Sequence, residues 1–321
     1  MQVKAVGRAA AEHRSRTRNP PGEQREPRAP FWRSRTVQGL GYAAPTAVFV
    51  AVFFLWPLLL VGQMSLNDWP LLAGDRGANA PENYADITDS PLFWPAVRFT
   101  LLYTVIVTVV LLGLALGLAL LVQESRPGTG FFRTVYFLPG ALGLASASLL
   151  FWGLYSPTTG PLSRTLEKLG LADDPVSFLG TPNSALLSTV FLVVWKFAGF
   201  YMLILLVGLQ RIPHEVYEAA RIDGAGRAQI FRSITLPLLK PSLALSLLLC
   251  VTGSLLAFDQ FFVLTKGGPD NSTVTVVQLI YREAFQRLNL GTAAALSIVV
   301  LAALLLLNAL QFRGLRHADE S

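Results

Sequence analysis

The chain has 321 residues, of which 52% are hydrophobic and only 14% are charged. Because an ordinary soluble domain has about 25% charged residues, this composition excludes a typical soluble protein and indicates one that crosses a membrane several times. The net charge of +6 would suit nucleic-acid binding, but the basic residues lie in a tail and in short loops, so we expect membrane orientation and no nucleic-acid partner.

Residues 1–40 form a polar segment that is rich in Arg, Pro and Ala and carries nine Lys and Arg side chains. A segment of this composition cannot bury an apolar core, so we expect a disordered cytoplasmic tail. A cleaved signal peptide would have shorter basic and apolar regions, so we expect the tail to be retained. Its only aromatic residues are Phe31 and Trp32, which gives a nucleic-acid-binding arm little support.

Six apolar stretches follow, each close to the roughly 20 residues that a membrane-spanning helix needs. They are Ala43–Met64, Phe99–Val122, Val135–Leu154, Ser184–Leu209, Leu238–Phe262 and Leu290–Phe312. The third contains many Gly, Ala and Ser residues, which allow close helix contacts in lipid. We therefore predict an all-α polytopic membrane protein with six transmembrane helices in residues 41–315, and a short cytoplasmic tail at residues 316–321.

The distribution of positive charge predicts the orientation of these helices. With the N-terminus inside, the inner segments carry 18 Lys and Arg residues and the outer loops carry 6. Cytoplasmic loops are enriched in Lys and Arg, so both termini are expected to be cytoplasmic. The same count places the long polar segment at residues 211–241 on the cytoplasmic side.

Residues 211–241 are too polar to span a membrane and are predicted to form two short helices joined at Gly224-Ala225-Gly226. Pro213 stands just ahead of the first helix, where its missing N–H costs little. Asp223 is expected to cap the second helix by accepting its free N–H groups. This segment is therefore predicted to be a helix-turn-helix on the cytoplasmic side.

The sequence offers no enzyme chemistry. It contains no G-x-x-x-x-G-K-[ST] loop for ATP, and its three His residues are far apart. With Cys250 as the only cysteine, an intrachain disulfide and a cysteine-based metal site are both impossible. We expect no catalytic residue, no metal and no bound cofactor.

The polar segment at 211–241 resembles the EAA loop of ABC-importer permeases, in which EAA is followed by x3, Gly, x9 and I-x-L-P. The fixed positions are Glu218, Ala219, Ala220, Gly224, Ile234, Leu236 and Pro237. With Asp223, they make up the coupling loop, residues 211–241, which the resemblance implies docks into a separate ATPase subunit. A plain amphipathic loop lying on the membrane surface is the alternative.

Further segments resemble the sugar-permease branch of this family, the maltose- and glycerol-3-phosphate-transporter type. They are Phe151-Trp152-Gly153, Gly160-Pro161-Leu162, Val194-Trp195-Lys196, Gly208–Pro213, Phe258-Asp259-Gln260 and Gly267-Gly268-Pro269. The chain departs from the maltose permease itself because no outer loop is long enough for a separate periplasmic domain.

The resemblance implies a permease with the type I ABC-importer fold in a bacterial cytoplasmic membrane. It implies a second permease in a heterodimer, two ABC ATPases that bind the ATP, and an extracytoplasmic solute-binding protein that delivers a carbohydrate. Two alternatives remain open: a secondary transporter, which would have more intramembrane acids, and a membrane enzyme or assembly factor, which would have clustered catalytic side chains.

Six residues are candidates for a solute cavity: Trp152, Trp195, Lys196, Phe258, Asp259 and Gln260. Lys196 falls in the middle of the fourth apolar stretch, where a charge usually faces a bundle interior or a watery cavity. It could contact the solute, or it could pair with Asp259 for structural reasons. The aromatic side chains Trp152 and Phe258 could stack on a sugar ring, although aromatic residues in spans more often serve packing.

Overall fold

The structure is a computed structural model that describes residues 35–124, 128–171 and 174–319. The described residues form two compact units, which divide between Pro57 and Leu58. Most of the predicted N-terminal tail, residues 1–34, lies outside the described residues, as do residues 320–321 of the predicted C-terminal tail. Helix α1 begins at Arg35, ahead of the predicted start of the transmembrane region at residue 41.

The first unit is an apolar helical segment. It comprises α1 (Arg35–Val50), a π-helical turn (Ala51–Leu55) and the first residues of α2 (Trp56–Ser65). Pro57 has no N–H to donate to the carbonyl four residues earlier, which accounts for the local widening of the helix. Large apolar side chains such as Phe53 are exposed along this segment, as expected for a helix that meets lipid.

The second unit contains eleven further α-helices among its described residues. They are α3 (Ala80–Asp89), α4 (Phe93–Val122), α5 (Thr129–Phe137), α6 (Leu144–Leu154), α7 (Pro161–Lys168), α8 (Pro182–Gln210), α9 (His214–Ile222), α10 (Arg227–Ile230), α11 (Leu236–Leu255), α12 (Val276–Tyr281) and α13 (Leu290–Asp319). A 3₁₀ turn, Leu138–Ala141, follows α5, and π-helical turns occupy Phe231–Thr235, Phe261–Thr265 and Arg282–Gln286.

Five helical segments in the described parts of the chain are long and apolar enough to cross a membrane. They are Tyr42–Ser65, Phe93–Val122, Pro182–Gln210, Arg227–Leu255 and Leu290–Gly314. These segments confirm five of the six predicted apolar spans. The sixth candidate is a bent pair, Thr129–Ala141 followed by Leu144–Leu154, whose two arms differ in direction by 94°.

The prediction of a continuous third helix over Val135–Leu154 is therefore wrong. The helix breaks where Leu142 and Gly143 adopt extended backbone angles. Pro139 lies in the 3₁₀ turn just before the break, and a proline removes one helical hydrogen bond. Gly143 also favours the break, because glycine has a low helix propensity.

The predicted fifth span, Leu238–Phe262, also extends too far at its C-terminal end. Helix α11 stops at Leu255, and Phe258-Asp259-Gln260 lie beyond its end rather than inside it. At its other end, α11 is continuous with the π-helical turn and α10, so the second short helix of the coupling loop is the start of the fifth span. Pro237 and Pro241 each lack an N–H, and the π turn lies just before the first of them.

Helix α8 is the centre of the second unit and packs against α4, α11 and the bent pair. The buried face of α4 has a spacing of four residues, with small Ala115 and Ala119 allowing α8 to approach closely. Gly199 of α8 lies directly against the backbone of Tyr136, where no side chain would fit. This arrangement places the middle of α8 beside the break in the third span.

A second, smaller core joins the segments that the sequence places on the outer side. It contains Ile87 of α3, Phe93 of α4, Leu279 of α12 and Leu296 of α13. The chain after α11 is tied back to α4, because the amide of Val276 donates to Thr100 Oγ1 at 3.1 Å. These contacts hold the Phe258–Gln260 segment against the helical core.

Candidate functional site

The coupling loop consists of α9, a tight turn and the start of the α10–α11 helix. Helix α9 begins directly after Pro213 and ends at Ile222, and the amide of the next residue, Asp223, donates to the carbonyl of Ala219 at 3.0 Å. Gly224 then adopts a left-handed conformation with φ of 79°, which glycine tolerates and side-chain-bearing residues disfavour. The first predicted helix and the turn are confirmed.

The predicted capping role of Asp223 is wrong. Asp223 directly follows the last residue of α9, and Gly226 occupies the position before α10, where no side chain caps the helix. Four residues, from Asp223 to Gly226, lie between α9 and α10, so Asp223 lies too early to cap α10. Its carboxylate is instead exposed on the loop surface.

The tip of the coupling loop presents a free surface. Glu218 and Ala219 are exposed, and Ile222 has 86% of its surface accessible. A side chain on Gly224 would meet no atom within 4 Å. The tip therefore presents one acidic and one large apolar side chain outward from the described part of the chain.

The base of the coupling loop is fixed to the fifth span. Tyr217 Oη and Thr235 Oγ1 are 3.3 Å apart, which joins α9 to the π turn beneath α11. Thr235 is buried, whereas its motif neighbours Leu236 and Pro237 are exposed and Ile234 is half-buried. The contact between Tyr217 and Thr235 therefore links α9 to the residues just before α11.

Lys196 lies at the middle of α8 and is only 4% exposed. Its Nζ donates to the carbonyl oxygen of Gly140 at 3.2 Å and also to that of Leu142. These two carbonyls stand at the break in the third span, where they lack helical partners. The ring of Phe197 lies 4.8 Å from Nζ, which adds a cation–π contact.

Lys196 therefore does not pair with Asp259, and that part of the prediction is wrong. No ion pair between the two residues occurs in the described structure, because Asp259 lies beyond the end of α11 while Lys196 is turned toward the bent pair. Lys196 also does not line any of the cavities described below. Its charge stabilises the corner of the third span.

A central cavity of about 190 Å³ lies between α4, α8 and the end of α11. Its walls include Phe258, Asp259 and Gln260, three of the predicted cavity residues. Asp259 is exposed and Gln260 is 3% exposed, with its Nε2 donating to Tyr103 Oη at 3.0 Å. The bend after Leu255 turns this polar segment toward the cavity.

The other predicted cavity residues lie elsewhere. Trp152 lines a separate cavity of about 460 Å³ together with Tyr281 and Arg282. Trp195 is half-buried, and its ring packs at 5.2 Å from that of Phe151. Phe258 also contributes to an aromatic cluster, with its ring 5.0 Å from that of Phe262.

A family model described as "Binding-protein-dependent transport system inner membrane component" matches residues 34–313. The chain belongs to this family. It is therefore a membrane-embedded permease component without an active site of its own.

Among relatives, this permease is 32% identical to the probable ABC transporter permease protein YurN of Bacillus subtilis, over 87% of this chain and 96% of the relative. It is also 32% identical to the multiple sugar-binding transport system permease protein MsmF of Streptococcus mutans, over 83% of this chain and 91% of that relative. A solved bacterial ABC transporter that imports the acidic polysaccharide alginate has a chain of the same fold, with a TM-score of 0.77 and 23% identity. The match covers 88% of this chain and 99% of that chain.

Three features of this permease escaped the sequence analysis. Ile222 at the loop tip carried a signal, since it is an apolar residue directly before a polar turn. Tyr103 meets Gln260 across 157 residues of sequence, and Tyr217 meets Thr235 from a different helix. Local patterns carry no signal for such pairs, because they depend on how the helices pack.

Proposed function

We propose that this chain is one permease of an ATP-driven importer that takes up a sugar delivered by an extracytoplasmic binding protein. ATP is bound and hydrolysed by two partner ATPases, and a second permease completes the translocation path. The sugar-system names of its relatives support the solute class. Membership of this family disfavours an ion-gradient-driven secondary transporter.

We further propose six membrane crossings, with the bent pair as the third, and both termini in the cytoplasm. The count of 18 inner against 6 outer Lys and Arg residues supports this orientation. It puts residues 211–241 on the side of the membrane where ATP is available. The tails at residues 1–40 and 316–321 then flank a transmembrane domain that spans residues 41–315.

The exposed tip of the coupling loop is the observation that most directly supports docking of an ATPase. Glu218 is an exposed carboxylate that an Arg of the ATPase could hold through charge-assisted hydrogen bonds. Ile222 offers an apolar contact, and Gly224 leaves space for close approach. Because Tyr217 connects α9 to Thr235 at the start of the fifth span, docking at this tip would act on the helix that leads to the central cavity.

The test compares valine substitutions at two glycines of the same turn. Gly224 has φ of 79° and Gly226 has φ of −72°, and neither has an atom within 4 Å of an added Cβ. Gly224→Val is therefore strained, whereas Gly226→Val adds the same bulk to an extended backbone that valine prefers.

We expect Gly224→Val to weaken co-purification of the ATPases and to abolish sugar-stimulated ATP hydrolysis, while the permease still inserts into the membrane. Gly226→Val should retain most of both activities. If Gly224→Val keeps normal co-purification and normal stimulated hydrolysis, the coupling role of this turn is refuted.

A further inference from the structure

A second cavity, the outer pocket, has a volume of about 460 Å³ and is built mainly from residues that follow α11 in the chain. Its walls include Trp152 of α6, Phe262 of the π turn after α11, and Gln278 and Tyr281 of α12. Small-molecule pockets have volumes of roughly 300–1,000 Å³ and apolar walls with a few placed polar groups. The outer pocket fits this description, whereas the central cavity of about 190 Å³ is smaller.

One polar side chain of the outer pocket has an unused hydrogen-bond acceptor. Gln278 is 3% exposed, and its Oε1 is buried without a hydrogen-bond partner in the described part of the chain. A buried polar atom of this kind is unfavourable unless something else supplies the hydrogen bond. A hydroxyl group of a solute in the pocket would donate to this oxygen.

The walls of the outer pocket are held in place by hydrogen bonds within the chain. Thr275 Oγ1 accepts from the amide of Gln278 at 3.2 Å and donates to the carbonyl of Ala257 at 2.8 Å. Arg282, which also lines the pocket, donates through Nη1 to Asn271 Oδ1 at 2.8 Å. A wall that is already ordered reduces the entropy cost of binding a solute.

A series of aromatic rings connects the outer pocket with the central cavity. Tyr281 and Phe262 line the outer pocket with their ring centroids 4.9 Å apart, and the ring of Phe262 stacks on that of Phe258 at 5.0 Å. Phe258 in turn lines the central cavity. These separations are in the contact range of aromatic pairs, so one aromatic surface runs from one cavity to the other.

We propose that the outer pocket is a sugar-binding subsite, separate from the central cavity, in which one ring of the solute rests before it moves inward along Tyr281, Phe262 and Phe258. This inference rests on the proposed function and adds a second binding position to the same path. The C–H face of a sugar ring packs on the aromatic face of Trp152, and a hydroxyl at the edge of the ring donates to Gln278 Oε1. Both contacts are made by the ring itself and are the same for neutral and charged sugars.

The test measures whether a sugar covers the outer pocket. Gln286 lines the pocket and is exposed, so Gln286→Cys in a Cys250→Ser background places one thiol there. The purified complete importer, in lipid nanodiscs, is treated with a methanethiosulfonate reagent in the absence and presence of maltose, trehalose or lactose. Modification of this chain is followed by mass spectrometry. Glu167→Cys, at an exposed position of α7 outside the pocket, is the control thiol.

We expect at least one of these sugars to slow the modification of Gln286→Cys, by about tenfold when roughly nine pockets in ten are filled. The same sugar should leave the modification of Glu167→Cys unchanged. Protection by none of the three sugars, or equal protection of both thiols, would overturn the proposal.

Two tryptophans of nearly equal exposure show whether the aromatic wall is responsible. Trp152 is 54% exposed, and Trp94 is 55% exposed but lines neither the outer pocket nor the central cavity. In the Gln286→Cys protein, Trp152→Leu should raise the sugar concentration for half-maximal protection by roughly two- to tenfold. Trp152→Phe should retain most of the affinity, and Trp94→Leu should leave it unchanged.

If Trp152→Leu has no effect on protection, the aromatic wall does not bind the sugar and the proposal is overturned. It is also overturned if Trp94→Leu has an equal effect, since both tryptophans would then only anchor the protein at the surface of the bilayer.

Uptake of the same three sugars into cells that carry this importer is measured in parallel. Sugar import without protection of Gln286→Cys overturns the subsite and leaves the proposed function intact. The protection assay uses no ATP, so a failure of the Gly224→Val test leaves its result valid, and the two proposals can fail separately.

Discussion

At the residue scale, Lys196 shows how a buried charge can be satisfied without an opposite charge. Its Nζ reaches two backbone carbonyls that the break in the third span leaves without helical partners. Hydrogen bonds from a charged donor to such carbonyls are stronger than neutral ones. The side chain therefore links α8 to the corner between α5 and α6.

We predict that Lys196→Met destabilises the permease by about 1–3 kcal/mol, because it leaves buried carbonyl groups without a donor. Methionine retains the length and the apolar stem of lysine, so the packing against Phe197 changes little. Thermal unfolding of the purified importer in detergent measures the effect. An unchanged midpoint would show that water or lipid replaces the lysine at no cost.

Glu283 gives a residue-scale prediction about pH. It is 5% exposed, and burial raises the pKa of its carboxyl above the ordinary value of 4.5, although Arg287 at 2.9 Å partly opposes this. The folded protein therefore holds the Glu283 proton more tightly than the unfolded chain does. The stability contributed by this group is greatest below about pH 4.5 and decreases as the pH rises through the folded pKa.

Glu283→Gln should consequently gain stability relative to the parent protein as the pH rises from 4.5 toward neutrality. The measurement is the difference between the unfolding midpoints of the two proteins across that range. A difference that stays constant with pH would contradict the assignment, since it would mean that Glu283 titrates normally in the folded state.

At the scale of elements, α8 packs very closely against the bent third span. Gly199 faces the backbone of Tyr136 so closely that an added Cβ would overlap backbone atoms. Backbone atoms cannot move aside as a flexible side chain can. The helical backbone angles of Gly199 would suit any residue, so it is the close packing that requires a glycine here.

We predict that Gly199→Ala lowers the unfolding midpoint and the yield of assembled importer. Gly117→Ala is the matched control, since Gly117 also lies in a long apolar helix but has no atom within 4 Å of an added Cβ. Alanine normally favours a helix by up to about 1 kcal/mol over glycine, so the control should be neutral or slightly stabilising. Equal behaviour of the two variants would show that the α8 contact can relax.

At the scale of the whole molecule, the proposed orientation puts the coupling loop and the outer segments on opposite sides of the membrane. Glu167 of α7 and Gln229 of α10 are both exposed and belong to segments assigned to opposite sides. Cys250 is buried, and replacing it with serine gives a background without cysteine.

In sealed cells, we expect a membrane-impermeant thiol reagent to label Glu167→Cys and not Gln229→Cys. After the membrane is permeabilised, both positions should react, which controls for local accessibility. Labelling of Gln229→Cys in sealed cells would reverse the proposed orientation.

The sequence alone determined the features that depend on composition along the chain. Five apolar spans and the first helix and turn of the coupling loop were predicted, because span length and glycine conformation are local properties. The family followed from the fixed spacing around Glu218, Gly224 and Pro237.

Only the tertiary structure decided which polar side chains meet. The bonding of Lys196 to carbonyls rather than to Asp259 and the hydrogen bond between Gln260 and Tyr103 both depend on how distant helices pack. Hydrogen bonds are short-ranged and directional, so a pairing between residues far apart in sequence exists only once the fold brings them within about 3 Å.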